Sequence, residues 1–208
     1  MGTRNLTMVI LNQKTVVAQY GQWDGYPSGQ GATILKTLLK QNGGFSMLKS
    51  ALDKCRFVDE DERQESNQLG VGEGQQHLTD EQVKQYRARF PLFNRDIGGE
   101  ILESIMDASK LIDENPDEYD PNILLRDETN FASESLFCEW CYVIDFDKGT
   151  FEVFEGFNQS PLTDGERFKF LEGESRNGYQ PVKHVTTYML SDLPDVGEFI
   201  EHVNSMVS

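Results

Sequence analysis

The chain has few cysteines, few basic residues and no long apolar run, and each shortage closes off a class of protein. Three cysteines among 208 residues cannot form a disulfide framework. No stretch approaches the roughly 18 consecutive apolar residues of a membrane-spanning helix, so no membrane partner is expected. The opening segment, Met1–Leu11, is too short and strand-like for a signal peptide, and no small-residue cleavage pattern follows it. These absences lead to the expectation of a soluble cytoplasmic protein. Only 19 Lys and Arg stand against 35 Asp and Glu, a net charge of −16. No direct nucleic-acid binding through a broad basic face is therefore expected. The imbalance is uneven. Arg4, Lys14, Lys36, Lys40 and Lys49 face Asp24 alone in the first fifty residues, a local charge of +4, which leaves −20 for the remainder. Such acidity fits a solvated surface. It also fits an alternative function, an inhibitor that imitates a nucleic-acid backbone.

Hydrophobic periodicity supplies the elements. Asn5–Leu11 and Thr15–Tyr20 read as a β-hairpin around Asn12-Gln13-Lys14. Ile34, Leu35, Leu38 and Leu39 recur at helical spacing until Gly43-Gly44, and Phe45, Leu48, Leu52 and Cys55 form a second amphipathic series. Residues 59–76, DEDERQESNQLGVGEGQQ, nearly lack large apolar side chains and read as a mobile polar excursion. Thr79 and Gln82 fit a capping box for a short helix ending before Pro91. Ile101, Leu102, Ile105, Ala108 and Ile112 mark a helix over 99–112. Leu136–Phe146 alternates like a strand, Asp147-Lys148-Gly149 is a turn, and Phe151–Phe157 completes a second hairpin. Val182–Leu190 predicts a further strand. Ser191 or Asp192 is expected to cap a last helix, with Pro194 in its first turn and Leu193, Val196, Phe199, Ile200 and Val203 as its stripe. The order lacks β-α alternation. It predicts one α+β domain over residues 1–208, with a mainly antiparallel sheet from two hairpins plus a further strand, packed with about five helices.

Few motifs carry chemistry. Cys138 and Cys141 have C-x-x-C spacing but lie in a strand-like run, where residues three apart face opposite ways. A zinc site would need a second ligand pair that is absent. Gly29-Gln30-Gly31 before a helix invites a phosphate-loop reading. However, Ala32-Thr33 replaces the Lys-Ser/Thr of a P-loop, and Ile34 stands where a dinucleotide fingerprint has its third Gly. Tyr26-Pro27-Ser28-Gly29 fits a type I turn. Asp113–Asp117 starts like a calcium loop, but Glu118 and Leu124 occupy its Gly and Glu positions. None of His77, His184 and His202 neighbours a nucleophile motif. No metal and no cofactor are expected. A strand, a hairpin and an Asp-containing loop also resemble the start of N-terminal-nucleophile hydrolases. Those enzymes need Thr, Ser or Cys at the chain start, and here Gly2 precedes Thr3. A small hydrolase with Asp24 in its site is thus a further alternative.

Two blocks, GTRNLTMVILNQKTVVAQYGQWDGYPSGQG and LFCEWCYVIDFDKGTFEVFEGFNQ, resemble a family of uncharacterised bacterial and bacteriophage proteins. These open with Gly-Thr-Arg, pass through a hairpin and reach a Gln-Trp-Asp-Gly-Tyr-Pro loop. The resemblance covers about a third of the chain and implies a bacterial or phage setting, with no activity attached. The expected function is that of an accessory protein binding a host or phage protein, or a small polar ligand. Its contact residues would be Gln22, Trp23, Asp24, Tyr26, Ser28, Gly29 and Gly31.

Overall fold

A computed structural model describes residues 2–68, 79–174 and 178–207. The chain is α+β. Its main sheet has five strands in the order β2-β1-β5-β6-β7, formed by β1 Asn5–Leu11, β2 Lys14–Gly21, β5 Trp140–Asp145, β6 Thr150–Glu155 and β7 Lys183–Met189. Each hairpin is antiparallel, as is β6 with β7. The hairpins meet through β1 and β5, which run parallel, Asn5 opposite Trp140 and Val9 opposite Ile144. The first hairpin turns at Asn12-Gln13, both at positive φ, the geometry that follows strand twist. Both Asp147 carboxylate oxygens accept from the Asn12 and Gln13 amides, tying the two hairpin tips together.

Strand alternation gives the sheet two buried faces. On one, Val9, Val17, Tyr142, Ile144, Phe151 and Val153 meet helices α1 (Ala32–Lys40), α2 (Ser46–Leu52), α5 (Ile101–Glu114) and α6 (Val196–Met206). On the other, Leu6, Met8, Cys141, Val143 and Phe154 are covered by the irregular chain bearing Leu162, Phe168 and Leu171. Arg167 from that cover reaches Asp145 at 2.7 Å and Glu152 at 2.6 Å, both almost fully buried. Burial alone would raise the Asp145 carboxyl, yet the guanidinium and the turn amides bring it below its usual value.

Several expectations are revised. The excursion at 59–76 begins as a helix, α3 (Glu60–Ser66), capped reciprocally by Asp59 and Glu62; positions 69–76 and His77 lie outside the described residues. Glu62 also accepts both guanidinium nitrogens of Arg56 at 2.7 Å and one of Arg89 at 3.1 Å. Helix α4 (Asp80–Arg89) starts where a Thr79 cap requires; the Gln82 side chain lies outside the description. Cys55 belongs not to a helix but to β3 (Cys55–Phe57), which pairs in parallel with β4 (Ile123–Leu125). Leu39 is 38% exposed, on the outer side of α1. Helix α6 is capped by Asp195, whose carboxylate accepts from the Glu198 amide at 2.9 Å. Pro194 therefore precedes the helix. Among the described residues no helix is long and apolar enough to cross a membrane.

Candidate functional site

The segment from Gln19 to Gly31 leaves the end of β2, crosses the N-terminal ends of β1 and β5, and enters α1. Its backbone forms a closed network. The Gly25 amide donates to Thr3 O at 2.9 Å, Gln30 to Asp24 O at 2.8 Å, and Gly29 to Tyr26 O at 3.0 Å. The last of these is the hydrogen bond of the expected type I turn. Gly31 donates to the same Tyr26 oxygen at 3.3 Å, closing one wide π-type turn over Pro27–Gly31. The Gly29, Gln30 and Gly31 amides that a phosphate loop would aim at an anion are thus directed into the protein's own carbonyls, which argues against a phosphate cradle at Gly29-Gln30-Gly31.

Two of the expected contact residues are here for packing. A Cβ at Gly29 would stand 2.2 Å from Asp24 O, and one at Gly31 2.9 Å from the Tyr142 ring. Tyr142 is fully buried beneath the loop and donates its hydroxyl to Gly25 O at 2.8 Å. Burial pushes its phenol well above the usual range. Asn5, also fully buried, donates to the carbonyls of Gly21 and Trp23 at 3.3 Å each. Gln30 completes the attachment, accepting from the Gly99 amide at 2.6 Å.

The side chains that remain point outward. Trp23 is 46% and Tyr26 53% exposed, and Asp24 and Ser28 are exposed as well. Trp23 is nevertheless fixed. Its indole N–H donates to Asp96 Oδ1 at 2.9 Å, and its ring lies so close to Gly2 that a Cβ there would overlap it at 2.1 Å. Asp24 adopts a left-handed conformation, φ 53°, which Asp tolerates better than most residues. Among the described residues no hydrogen bond or ion pair joins the Asp24 carboxylate to another side chain. Gln22 departs from the group. It is half-buried, and its carbonyl oxygen accepts from the Tyr20 hydroxyl at 2.5 Å.

The hydrolase alternative would place Thr3 at a chain start. Thr3 is 7% exposed, and its carbonyl holds the Gly25 amide. The C-x-x-C pair differs from the strand reading. Strand β5 begins only at Trp140, so Cys138 lies in the preceding turn and joins Cys141 in the same apolar cluster. Both are fully buried, and burial pushes both thiols up, away from the thiolate that redox chemistry requires. Asp113 sits inside α5 and pairs with Lys54 at 2.6 Å rather than opening a calcium loop. Among the described residues no group of His, Cys, Asp or Glu is arranged to hold a metal ion.

Fold and site together define an α+β protein with a mixed five-stranded sheet and a rigid, aromatic-edged loop across one end of it. No protein-family model, curated protein or solved structure matches the chain.

Proposed function

We propose that this is a binding protein, an accessory factor of bacterial or phage type, whose contact surface is the outer edge of the Gln22–Gly31 loop. Trp23, Asp24, Tyr26 and Ser28 touch the partner, while Gly29 and Gly31 hold the loop's shape. The observation that supports this most is the division of labour within the loop. Backbone geometry explains its glycines and proline, but neither Trp23 nor Tyr26 is needed to close it. A half-exposed Trp already fixed by Asp96 and Gly2 loses little freedom when covered, which is the property of residues that dominate protein interfaces. A protein partner suits this surface better than a small polar ligand, since the amides of Gly29, Gln30 and Gly31 are already taken by the loop's own carbonyls.

The test compares wild type with Trp23→Ala, Tyr26→Ala and Asp24→Asn in affinity capture from a bacterial lysate, with melting curves for each. Asn is chosen at position 24 because it also accepts positive φ, whereas Ala would add backbone strain. The expected result is a partner retained by wild type and lost by the variants at a melting temperature within about 3 °C, as for surface substitutions. Partner retention by all three variants, or unfolding of all three, would sink the proposal.

A further inference from the structure

A second surface lies at the same strand end. Arg4 precedes Asn5 and Gln22 follows Gly21, the pair at which the β1–β2 ladder ends. The Arg4 guanidinium lies 4.7 Å from the centre of the Phe137 ring. Among the described residues no carboxylate lies within ion-pairing distance of it, although the chain carries 35 acidic residues. Glu139 directs an oxygen to the Arg4 main-chain amide at 3.3 Å. Gln22 is oriented. Because its oxygen accepts from Tyr20 at 2.5 Å, its amide NH2 is the end left to donate. Tyr20 is itself held by an edge-on contact with Phe131 at 4.9 Å. The Gln22 main-chain amide donates to Arg95 O at 2.8 Å, which brings the Arg95 backbone alongside. The Arg95 side chain is strongly exposed and, among the described residues, pairs with Asp96 at 3.6 Å. Burial raises the Tyr20 phenol; the charges of Arg4 and Arg95 pull against that rise, and Glu128 adds to it.

We propose that Arg4, Gln22 and Arg95 form a receptor for one oxyanion, a carboxylate or a phosphate, whose ligand rests its apolar part against Phe137. A guanidinium stacked on an aromatic ring keeps its in-plane donors free and fixed, the arrangement that suits a two-oxygen acceptor. Gln22 adds a neutral donor whose direction is set by Tyr20. Arg95, strongly exposed, adds a second guanidinium at the rim. This surface adjoins the Trp23–Tyr26 edge through Asp96, whose Oδ1 accepts the Trp23 indole and lies 3.6 Å from Arg95, but its ligand is an oxyanion rather than a protein.

The test is an NMR titration of labelled protein with sodium phosphate and, separately, sodium acetate, at ionic strength held constant with sodium chloride. The readouts are the Gln22 side-chain amide and the Arg4 Nε–H. Saturable shifts with phosphate alone assign a phosphate, with acetate alone a carboxylate, and with both a general oxyanion receptor. Gln22→Glu keeps an acceptor for Tyr20 but replaces the donor with negative charge, and should weaken the response at least tenfold. Lys36→Gln, on an exposed cation of α1, should leave it unchanged. Shifts that rise linearly without saturating, or that persist in Gln22→Glu, would overturn the assignment.

Discussion

Replacing Tyr142 by Phe removes one hydroxyl from a fully buried ring and tests whether the loop is held from beneath. The ring remains to stack against Trp140 and Phe151, so little packing is lost. What disappears is the hydrogen bond to Gly25 O at 2.8 Å, and that carbonyl sits too deep in the closed loop to be rescued easily. An unsatisfied buried acceptor costs about 1–3 kcal/mol, against about 1 kcal/mol for a hydrogen bond lost with both partners solvated. About 2 kcal/mol is therefore expected. In a protein of this size that lowers the melting temperature by about 4–8 °C. Urea unfolding gives the free energy, and hydrogen exchange gives its location. The amides of Gly29, Gln30 and Gly31 should exchange faster by more than the global change explains, while those of β6 and β7 follow the global change alone. A stability change below about 0.5 kcal/mol, or acceleration spread evenly over the sheet, would refute the idea that Tyr142 anchors the loop.

Three further outcomes can be checked. The Arg56 guanidinium, opposed by some burial and helped by the Asp59 amide and Arg89, holds the Glu62 carboxyl down at about 2, against an ordinary 4.5. A lowered carboxyl stabilises the fold fully above its ordinary value and loses that contribution as pH falls from about 4.5 through about 2. The upper limit is about 3 kcal/mol, and solvent screening of the two guanidiniums, each more than a third exposed, reduces it to about 1–2. Glu62→Gln should flatten the stability profile in that window, and an unaltered profile would remove the Arg–Glu–Arg cluster as the cause. Cys138 and Cys141 should resist a thiol reagent in the native state and react only on unfolding; prompt labelling of either would contradict their burial. The Thr7 hydroxyl is buried without a hydrogen-bond partner among the described residues, so Thr7→Val should be neutral or stabilising by up to about 1 kcal/mol in urea unfolding, and a clear loss would show that the hydroxyl is satisfied in solution.

The parts of the fold that were legible have a period. Trp140, Tyr142 and Ile144 against Cys141 and Val143 alternate in sequence and divide between the two faces in the structure. Helices α1, α5 and α6 announced themselves by apolar stripes. Helix α3 has no such stripe, and its stability comes from the Asp59–Glu62 cap and charged pairs. The D-x-x-E signature at 59–62 was the available signal. Strands β3 and β4 are three residues each, too short to show any period, and their pairing joins positions far apart in sequence. The parallel contact of β1 with β5 is equally non-local. In the loop, the purposes of Pro27, Gly29 and Gly31 could be read from turn chemistry. The partner that fixes Trp23, Asp96, could not, because it arrives from 73 residues away. Arg4 was hidden for another reason. In the sequence it is one of several isolated basic residues, and the contact with Phe137 is what distinguishes it.

The uneven charge takes on a sharper meaning once the elements are placed. The first fifty residues, locally +4, contribute β1, β2, the loop, α1 and most of α2, and they supply the exposed side chains of the Trp23–Tyr26 edge and both Arg4 and Gln22 of the oxyanion surface. A chain of net −16 repels anions at distances beyond about 10 Å at low salt, whereas contacts at a few ångströms are screened far less. An oxyanion reaching Arg4 must therefore approach against the long-range field and be held by the short-range donors. Moderate salt then relieves the repulsion while chloride competes at the receptor, so the two effects oppose each other. A simple basic patch would instead lose affinity monotonically with salt. A shallow salt dependence, set beside the Gln22→Glu result, would separate a built receptor on an acidic protein from a patch of stray positive charge.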